Sequence, residues 1–195
     1  MRIATLCEFS GVVRDAFIKR GHYAISCDLL DSESSFGPHI KGDCFNYDWS
    51  NFDLILAFPS CTYLCSSGLH WNNKVAGRKQ KTLDAVRFVL NLWSLPVSRI
   101  AIENPIGCLS TLWKKPDQII QPWQFGCPES KKTCLWLKNL PLLIPTEILP
   151  IPKSGRWENQ TPSGQNKIGP SENRWKLRSK TYLGIANAMA EQWSV

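Results

Sequence analysis

The sequence predicts an α/β protein built round a mostly parallel sheet. Two observations carry that prediction. Leu54-Ile55-Leu56-Ala57 is apolar at every position, as expected of a strand buried on both faces of a parallel sheet. The N-terminal stretch from Arg2 to Asp28 reads strand, helix, strand, the pattern of a βαβ unit. A chain of 195 residues is long enough for one domain with a real core and short for two. One domain over 1–195 is expected, with a basic Trp- and Pro-containing insert at about 139–181 ahead of a C-terminal helix.

Taken in order, Arg2 to Cys7 predicts the first strand and Glu8 to Gly11 a turn. Val12 to Arg20 predicts a helix with Val12, Val13, Ala16 and Phe17 on one face, closed by Gly21. Tyr23 to Cys27 predicts the second strand, with Asp28 at its end. Residues 31–38 are loop-forming, and His39 to Asp43 predicts a short strand that again ends in an acid. Leu54 to Ala57 is the central strand, and Pro59 ends it because it has no N–H for a ladder. Ser60 and Cys61 then fall at the strand's carboxyl end, where open α/β sheets bind ligands. Residues 66–80 are polar and predict a mobile loop, which beside a nucleophile can close over a substrate.

Thr82 to Trp93 predicts a helix whose stripe of Leu83, Val86, Leu90 and Trp93 is core. Arg99 to Ile102 predicts a further strand ending in Glu103-Asn104-Pro105. Residues 106–128 show no clear period. Lys131 to Lys138 alternates like a strand, 139–152 is proline-rich and irregular, and Tyr182 to Trp193 closes the chain as a helix.

The net charge is +7, and seven basic against two acidic residues between Ile151 and Lys180 supply +5 of it. Trp157 and Trp175 lie among those charges, a pattern that suits stacking on bases beside phosphate contacts; a solvated surface loop would have the same charge. The eight cysteines form no CxxC and no Cys/His cluster with zinc spacing, so no metal site is expected. Cys61 and Cys65 make only a lone CxxxC. No stretch is long and apolar enough for a membrane span, and the N-terminus does not read as a signal peptide. A cytoplasmic protein with reduced thiols is expected.

Position alone leaves Cys61 either a reactive thiol or a small core residue. Glu103 at the tip of a neighbouring strand turns it into a constellation of a thiol and a carboxylate that can converge on one ligand. The small-residue turn Phe9-Ser10-Gly11 after the first strand, with Asp28 after the second, can hold a nucleotide-like cofactor. The turn lets the ligand approach the backbone, and the acid accepts from ribose hydroxyls.

The full order of motifs resembles the cytosine-5 DNA methyltransferases, and more closely the short methyltransferase-like proteins of bacteriophage genomes that lack a full target-recognition domain. The residues that carry the resemblance are Phe9-Ser10-Gly11, Asp28, Gly42-Asp43, Pro59-Ser60-Cys61, Glu103-Asn104, Gly126 to Leu135 and Ile185-Ala186-Asn187-Ala188. It implies a Rossmann-like class I methyltransferase fold with helices on both faces of the sheet. It implies S-adenosylmethionine as cofactor, bound by Phe9, Ser10, Gly11, Asp28, Asp43, Pro59 and Asn187. It implies catalysis by Cys61 and Glu103, with Lys131 and Thr133 reaching the base. DNA is the implied partner, single-stranded or with a flipped cytosine, and Arg174, Lys176 and Arg178 are its candidate contacts. A partner protein or a homo-oligomer is compatible with the short insert, and a phage-encoded chain would act in the host cytoplasm.

The chain departs from the family at Ser60, where a second proline is usual, at Glu129-Ser130-Lys131-Lys132-Thr133, where glutamine and arginines are usual, and at Ala186, where glycine is usual. Two other readings follow from the reduced insert. One is a related enzyme that modifies a pyrimidine nucleotide or an already modified base. The other is a non-catalytic relic that binds nucleic acid or a partner, as in phage counter-defence.

Overall fold

The computed structural model describes residues 1–164 and 166–194. In chain order it comprises β1 (Arg2–Leu6), α1 (Val12–Lys19), β2 (Tyr23–Asp28), β3 (His39–Lys41), β4 (Leu54–Ala57), α2 (Ser66–Leu69), α3 (Arg78–Trp93), β5 (Arg99–Pro105), α4 (Leu109–Leu112), β6 (Gln118–Ile120), β7 (Thr133–Lys138), α5 (Arg174–Ser179) and α6 (Leu183–Gln192). Short 3-10 turns at Cys44–Asn46, His70–Asn73 and Pro122–Gln124 complete them.

The seven strands form one sheet in the order β3-β2-β1-β4-β5-β7-β6. The pairs β1–β2, β1–β4, β2–β3 and β4–β5 are parallel. β7 runs antiparallel to both β5 and β6, so β6 shares the direction of the first five. The order reverses between β1 and β4, and their carboxyl ends carry the Cys7–Gly11 turn and the Cys61 loop side by side. A crevice at such a switch point is where sheets of this kind bind ligands.

Alternation along the strands splits the core in two. Ile3, Leu54, Leu56, Ala101 and Leu135 pack under Val13, Ala16 and Phe17 of α1 and Ile185, Ala186 and Met189 of α6. Ala4, Leu6, Ile55, Ala57, Ile100, Ile102 and Trp136 face Val86, Val89 and Leu92 of α3. Helices therefore cover both faces.

Several expectations are corrected. β5 extends through Glu103 and Asn104 to Pro105, because β7 continues the ladder to the pair Pro105–Thr133. β3 stops at Lys41, leaving Asp43 free to cap the Cys44–Asn46 turn by accepting from the Phe45 N–H at 3.0 Å. α3 begins at Arg78, and the stretch read as a mobile loop holds α2 and a 3-10 turn. α3 is also rotated from the expected stripe. Thr82, Val86, Val89 and Leu92 face inward, while Leu83 is 42% exposed. The polar Thr82 faces in because its hydroxyl bonds the Tyr63 carbonyl (3.1 Å) and the Asn72 side chain (3.2 Å). β7 starts at Thr133, not Lys131. β6, α4 and α5 arise where no period was legible.

Within α1, Arg14 is fully buried, and its guanidinium gathers Ser26, Ser32, Asp15 and the carbonyls of Ser34 and Pro38. That network holds the 31–38 loop against β2. No helix among the described residues is long and apolar enough to cross a membrane, and all eight cysteines are unbridged.

Candidate active site

The loop after β4 is held by its neighbours more than by itself. Buried Pro59 offers its carbonyl to the Asn104 amide at 2.7 Å. The Leu64 and Cys65 N–H groups both turn back to the Cys61 carbonyl (3.0 and 2.9 Å). Ser66 N–H reaches the Ile106 carbonyl (3.0 Å), and Cys108 N–H reaches the Leu64 carbonyl (2.9 Å). Gly107 makes this approach possible, since a Cβ there would lie 1.9 Å from the Leu64 carbonyl oxygen. Arg78, at the start of α3, braces the far side by donating to the Thr62 carbonyl at 3.2 Å and lying over the Tyr63 ring. Cys61 is thus fixed beside the end of β5.

Glu103 enters from β5, and Thr133 and Lys131 arrive through the antiparallel β7, which aligns Thr133 with Pro105. The four residues named from the sequence come together. Cys61 feels the charges of Glu103 and Lys131, and Thr133, whose hydroxyl donates to the Lys131 carbonyl at 3.2 Å, also acts on the Glu103 carboxyl. Arg178 of α5 joins them, close enough for its charge to act on Cys61. Its carbonyl accepts from the Lys131 ammonium at 3.0 Å, and that ammonium also lies over the Tyr182 ring. Lys132 is exposed, so Lys131 is the lysine that faces the thiol.

The electrostatics are mixed. Cys61 is open at its rim, yet crowding desolvates the thiol and pushes its pKa up. Cys65 and Glu103 push the same way, while Lys131 and Arg178 pull it down. Burial also raises Glu103, against the pull of Lys131 and of Thr133. The carboxyl therefore keeps its proton to higher pH than an ordinary glutamate. A neutral carboxyl both donates and accepts a hydrogen bond, which suits a ring N beside an amino group.

The turn after β1 lies next to this cluster. Cys7 takes a left-handed φ of 57° as its N–H bonds the Cys27 carbonyl at 2.7 Å. Gly11 is left-handed too, with Arg14 and Ser34 filling the place of a Cβ. Glu8, Phe9 and Ser10 are buried, and the Ser10 hydroxyl bonds Glu8. Asp28 is half-buried at the end of β2. Burial raises its pKa against the N–H groups of Leu30 and Leu29 and the charge of His39. Asp43 is exposed at the end of the next strand.

Asn187 lies on the exposed side of α6. The residues that reach the β1 turn from the C-terminal region are Ser179 and Thr181, which line a small hollow with Cys7 to Ser10 and Phe58. Phe9 meets the Trp175 ring at 6.0 Å, and Lys180 pairs with Glu33 at 2.5 Å. Arg174, Lys176 and Arg178 all belong to α5. Arg178 turns toward Cys61, Lys176 lies over Trp175, and the Arg174 Nε is buried without a partner.

No protein-family model matches the chain, and no curated protein matches it. Among solved structures it is similar to a protein described as a DNA modification methyltransferase encoded within an Escherichia coli prophage. The TM-score is 0.50 at 13% identity, over 77% of this chain and 52% of that one. What is shared is a Rossmann-like α/β fold. A further similar structure is the Dnmt2 methyltransferase of S. pombe, with a TM-score of 0.43 at 18% identity, over 70% of this chain and 48% of that one. The chain spans about half the length of each. At these identities the likeness is one of fold.

In chemistry, the tight turn after β1 and the acids after β2 and β3 can hold a nucleoside-like group, since carboxylates at those ends can accept from ribose and adenine groups. As the chain stands, the hollow beside the turn holds about 20 Å³, roughly one water. Ser179 and Thr181 must move aside for a ligand of nucleoside size.

Sequence reasoning missed Asn104's bond to the Pro59 carbonyl, the close approach at Gly107, and the arrival of Arg178. The Gly after Glu-Asn-Pro-Ile was a visible signal for the second. Nothing in the local pattern announces the other two.

Proposed function

We propose that the protein is an S-adenosylmethionine-dependent DNA cytosine-C5 methyltransferase that uses Cys61 as nucleophile. The observation that carries the reading is the convergence of Cys61, Glu103, Lys131 and Thr133 at the carboxyl ends of β4 and β5, beside the turn after β1.

S-adenosylmethionine, when bound, supplies an electrophilic methyl group. The chain's residues do the rest. The Cys61 thiolate adds to C6 of cytosine and forms a C6–S bond, making C5 nucleophilic. Glu103 donates to N3 and accepts from the amino group, and so holds the charge that develops on the ring. After C5 has taken the methyl group, its proton leaves to a base, the C6–S bond breaks, and Cys61 is regenerated. Lys131 and Arg178 favour the thiolate that starts the sequence. A base stacked in a duplex is out of reach of Cys61, so the cytosine is flipped or already unpaired.

The test is transfer of labelled methyl from S-adenosylmethionine to unmodified DNA, followed by digestion to nucleosides and mass analysis, with Cys61→Ala in parallel. Label in 5-methylcytosine that is absent from the variant is the expected result. No label in any nucleoside, with cofactor binding demonstrated, would overturn it.

A further inference from the structure

A second hollow lies in the insert, outside the cluster around Cys61. It is a shallow, open hollow of about 400 Å³ lined by Ser154, Arg156, Trp157, Glu158, Gln160, Pro162 and Lys167. Pockets that hold small organic ligands begin near about 300 Å³. Its back wall is aromatic. Trp157 is only 8% exposed, and its ring lies 11° from parallel to Trp123 at 6.4 Å. The Trp157 backbone N–H donates to the Gln160 amide oxygen at 3.0 Å, and the Lys167 backbone N–H donates to the Asn159 carbonyl at 2.9 Å. Arg156 and Lys167 are exposed cations at the rim, set against the single carboxylate of Glu158.

That combination matches one chemical class: the exposed edge of an indole for a base to pack against, two cations for a phosphate, and a carboxylate for an exocyclic amino group. The hollow is also joined to the candidate active site. Asn159 accepts from the Ser130 N–H at 3.1 Å and donates to the Ser130 carbonyl at 3.0 Å and to Glu129 at 3.1 Å. Ser130 directly precedes Lys131. From Ser130 to Thr133 an extended chain spans only about 10 Å.

We propose that this hollow is a binding site for one unpaired nucleotide of the substrate strand, a near neighbour of the base presented to Cys61. The proposal rests on the reading that Cys61 acts on a base within a polynucleotide. It adds that the strand is single-stranded on the side of the insert, and that the bound nucleotide carries an exocyclic amino group.

The experiment uses the full chain with Cys61→Ala, so that no turnover intervenes. The probe is a short fluorescent single-stranded oligodeoxynucleotide with one cytosine, read by anisotropy over a range of salt. The same protein carrying Arg156→Gln and Lys167→Gln, both at exposed positions, is compared. The double variant is expected to bind about tenfold more weakly at low salt. Its slope of log affinity against log salt is expected to fall by about 0.7, the value for the one single-strand phosphate that the two cations no longer neutralise. A probe with 5-iodocytosine beside the target cytosine is expected to photocrosslink at Trp157, and the fully paired duplex to compete poorly.

Unchanged affinity and slope in the double variant, or crosslinks only elsewhere, would overturn the proposal. So would a duplex that binds as well as the single strand and is weakened as much in the double variant. If cytosine is methylated by protein with intact Cys61 and the double variant keeps the same KM for the strand, this site fails and the methyltransferase reading stands. If no oligonucleotide binds in any form, both fail.

Discussion

Gly107 gives the most direct access to how Cys61 is held. A Cβ at this position would sit 1.9 Å from the Leu64 carbonyl oxygen, 2.7 Å from its carbon and 3.0 Å from the Cys65 Cα. Ordinary contact begins near 3.4 Å, so in Gly107→Ala the Leu64 carbonyl must retreat by about 1.5 Å. That atom is backbone, and no rotamer change relieves it. It is also the acceptor for Cys108 N–H, and the Cys61 carbonyl is bonded by the Leu64 N–H. The push is therefore passed to Cys61. Overpacking of this kind costs about 1–3 kcal/mol, or a fall in Tm of about 2–12 °C for a chain of this size. A misplacement of about 1 Å at a reacting group costs on the order of 100-fold in rate. Calorimetry, methyl transfer and iodoacetamide alkylation of Cys61 are the assays, with Gly169→Ala as control, since nothing lies within 4 Å of a Cβ there. A Gly107→Ala protein with the Tm and rate of the control would refute the view that the β5 tip positions the Cys61 loop.

Three further outcomes are expected. Asn104→Ala removes the donor to the Pro59 carbonyl and should lower kcat more than it raises KM, with a stability loss of about 1–3 kcal/mol by thermal unfolding. Cys61 alkylation should rise with pH above the range of a free thiol. Lys131→Gln should push that profile higher, and Glu103→Gln should move it lower while methyl transfer is abolished, because Lys131 lowers and Glu103 raises the thiol pKa. Glu8 is buried against Ser10 and Thr5 with its pKa raised by desolvation. The folded state therefore holds its proton more tightly than the unfolded chain, and stability present below the ordinary carboxyl range is lost as pH rises through the folded value. Glu8→Gln should match the parent in acid and exceed it at neutral pH in paired denaturation curves.

The parts legible in the sequence were those written in local pattern. The apolar run Leu54–Ala57, the βαβ unit and the strand Arg99–Ile102 that leads to Glu103 need only alternation and breakers, and the candidate cluster followed from their carboxyl ends. The parts that were not legible depend on partners distant in the chain. Asn104 reads as a turn former until β7 extends the ladder beside it. Thr82 reads as polar surface until two acceptors are found for its hydroxyl. The same holds for Arg14, whose five partners come from its own helix, from β2 and from the 31–38 loop. α5 has no apolar stripe of its own and is placed by Trp175 on Phe9 and Lys180 on Glu33.

That last placement has a consequence of opposite sign at two sites. The segment from Trp175 to Thr181 brings Arg178 toward Cys61 and also closes the hollow beside the β1 turn. Trp175 is 52% exposed, and its ring contact with Phe9 is an anchor of the segment. An aromatic pair of this kind is worth about 0.5–1.5 kcal/mol beyond its buried area, or roughly a 2- to 12-fold change in an equilibrium. Trp175→Ala should shift the segment toward an open arrangement by that factor. S-adenosylhomocysteine, used as a probe of the hollow, should then bind more tightly by up to the same factor, because less free energy is spent on opening. Cys61 should lose part of the Arg178 charge, and its alkylation at fixed pH should slow. Simple damage to the fold would weaken both. Tighter binding together with slower alkylation is the signature of one segment serving two sites; if the two measurements fall together, or neither moves, the segment does not couple them.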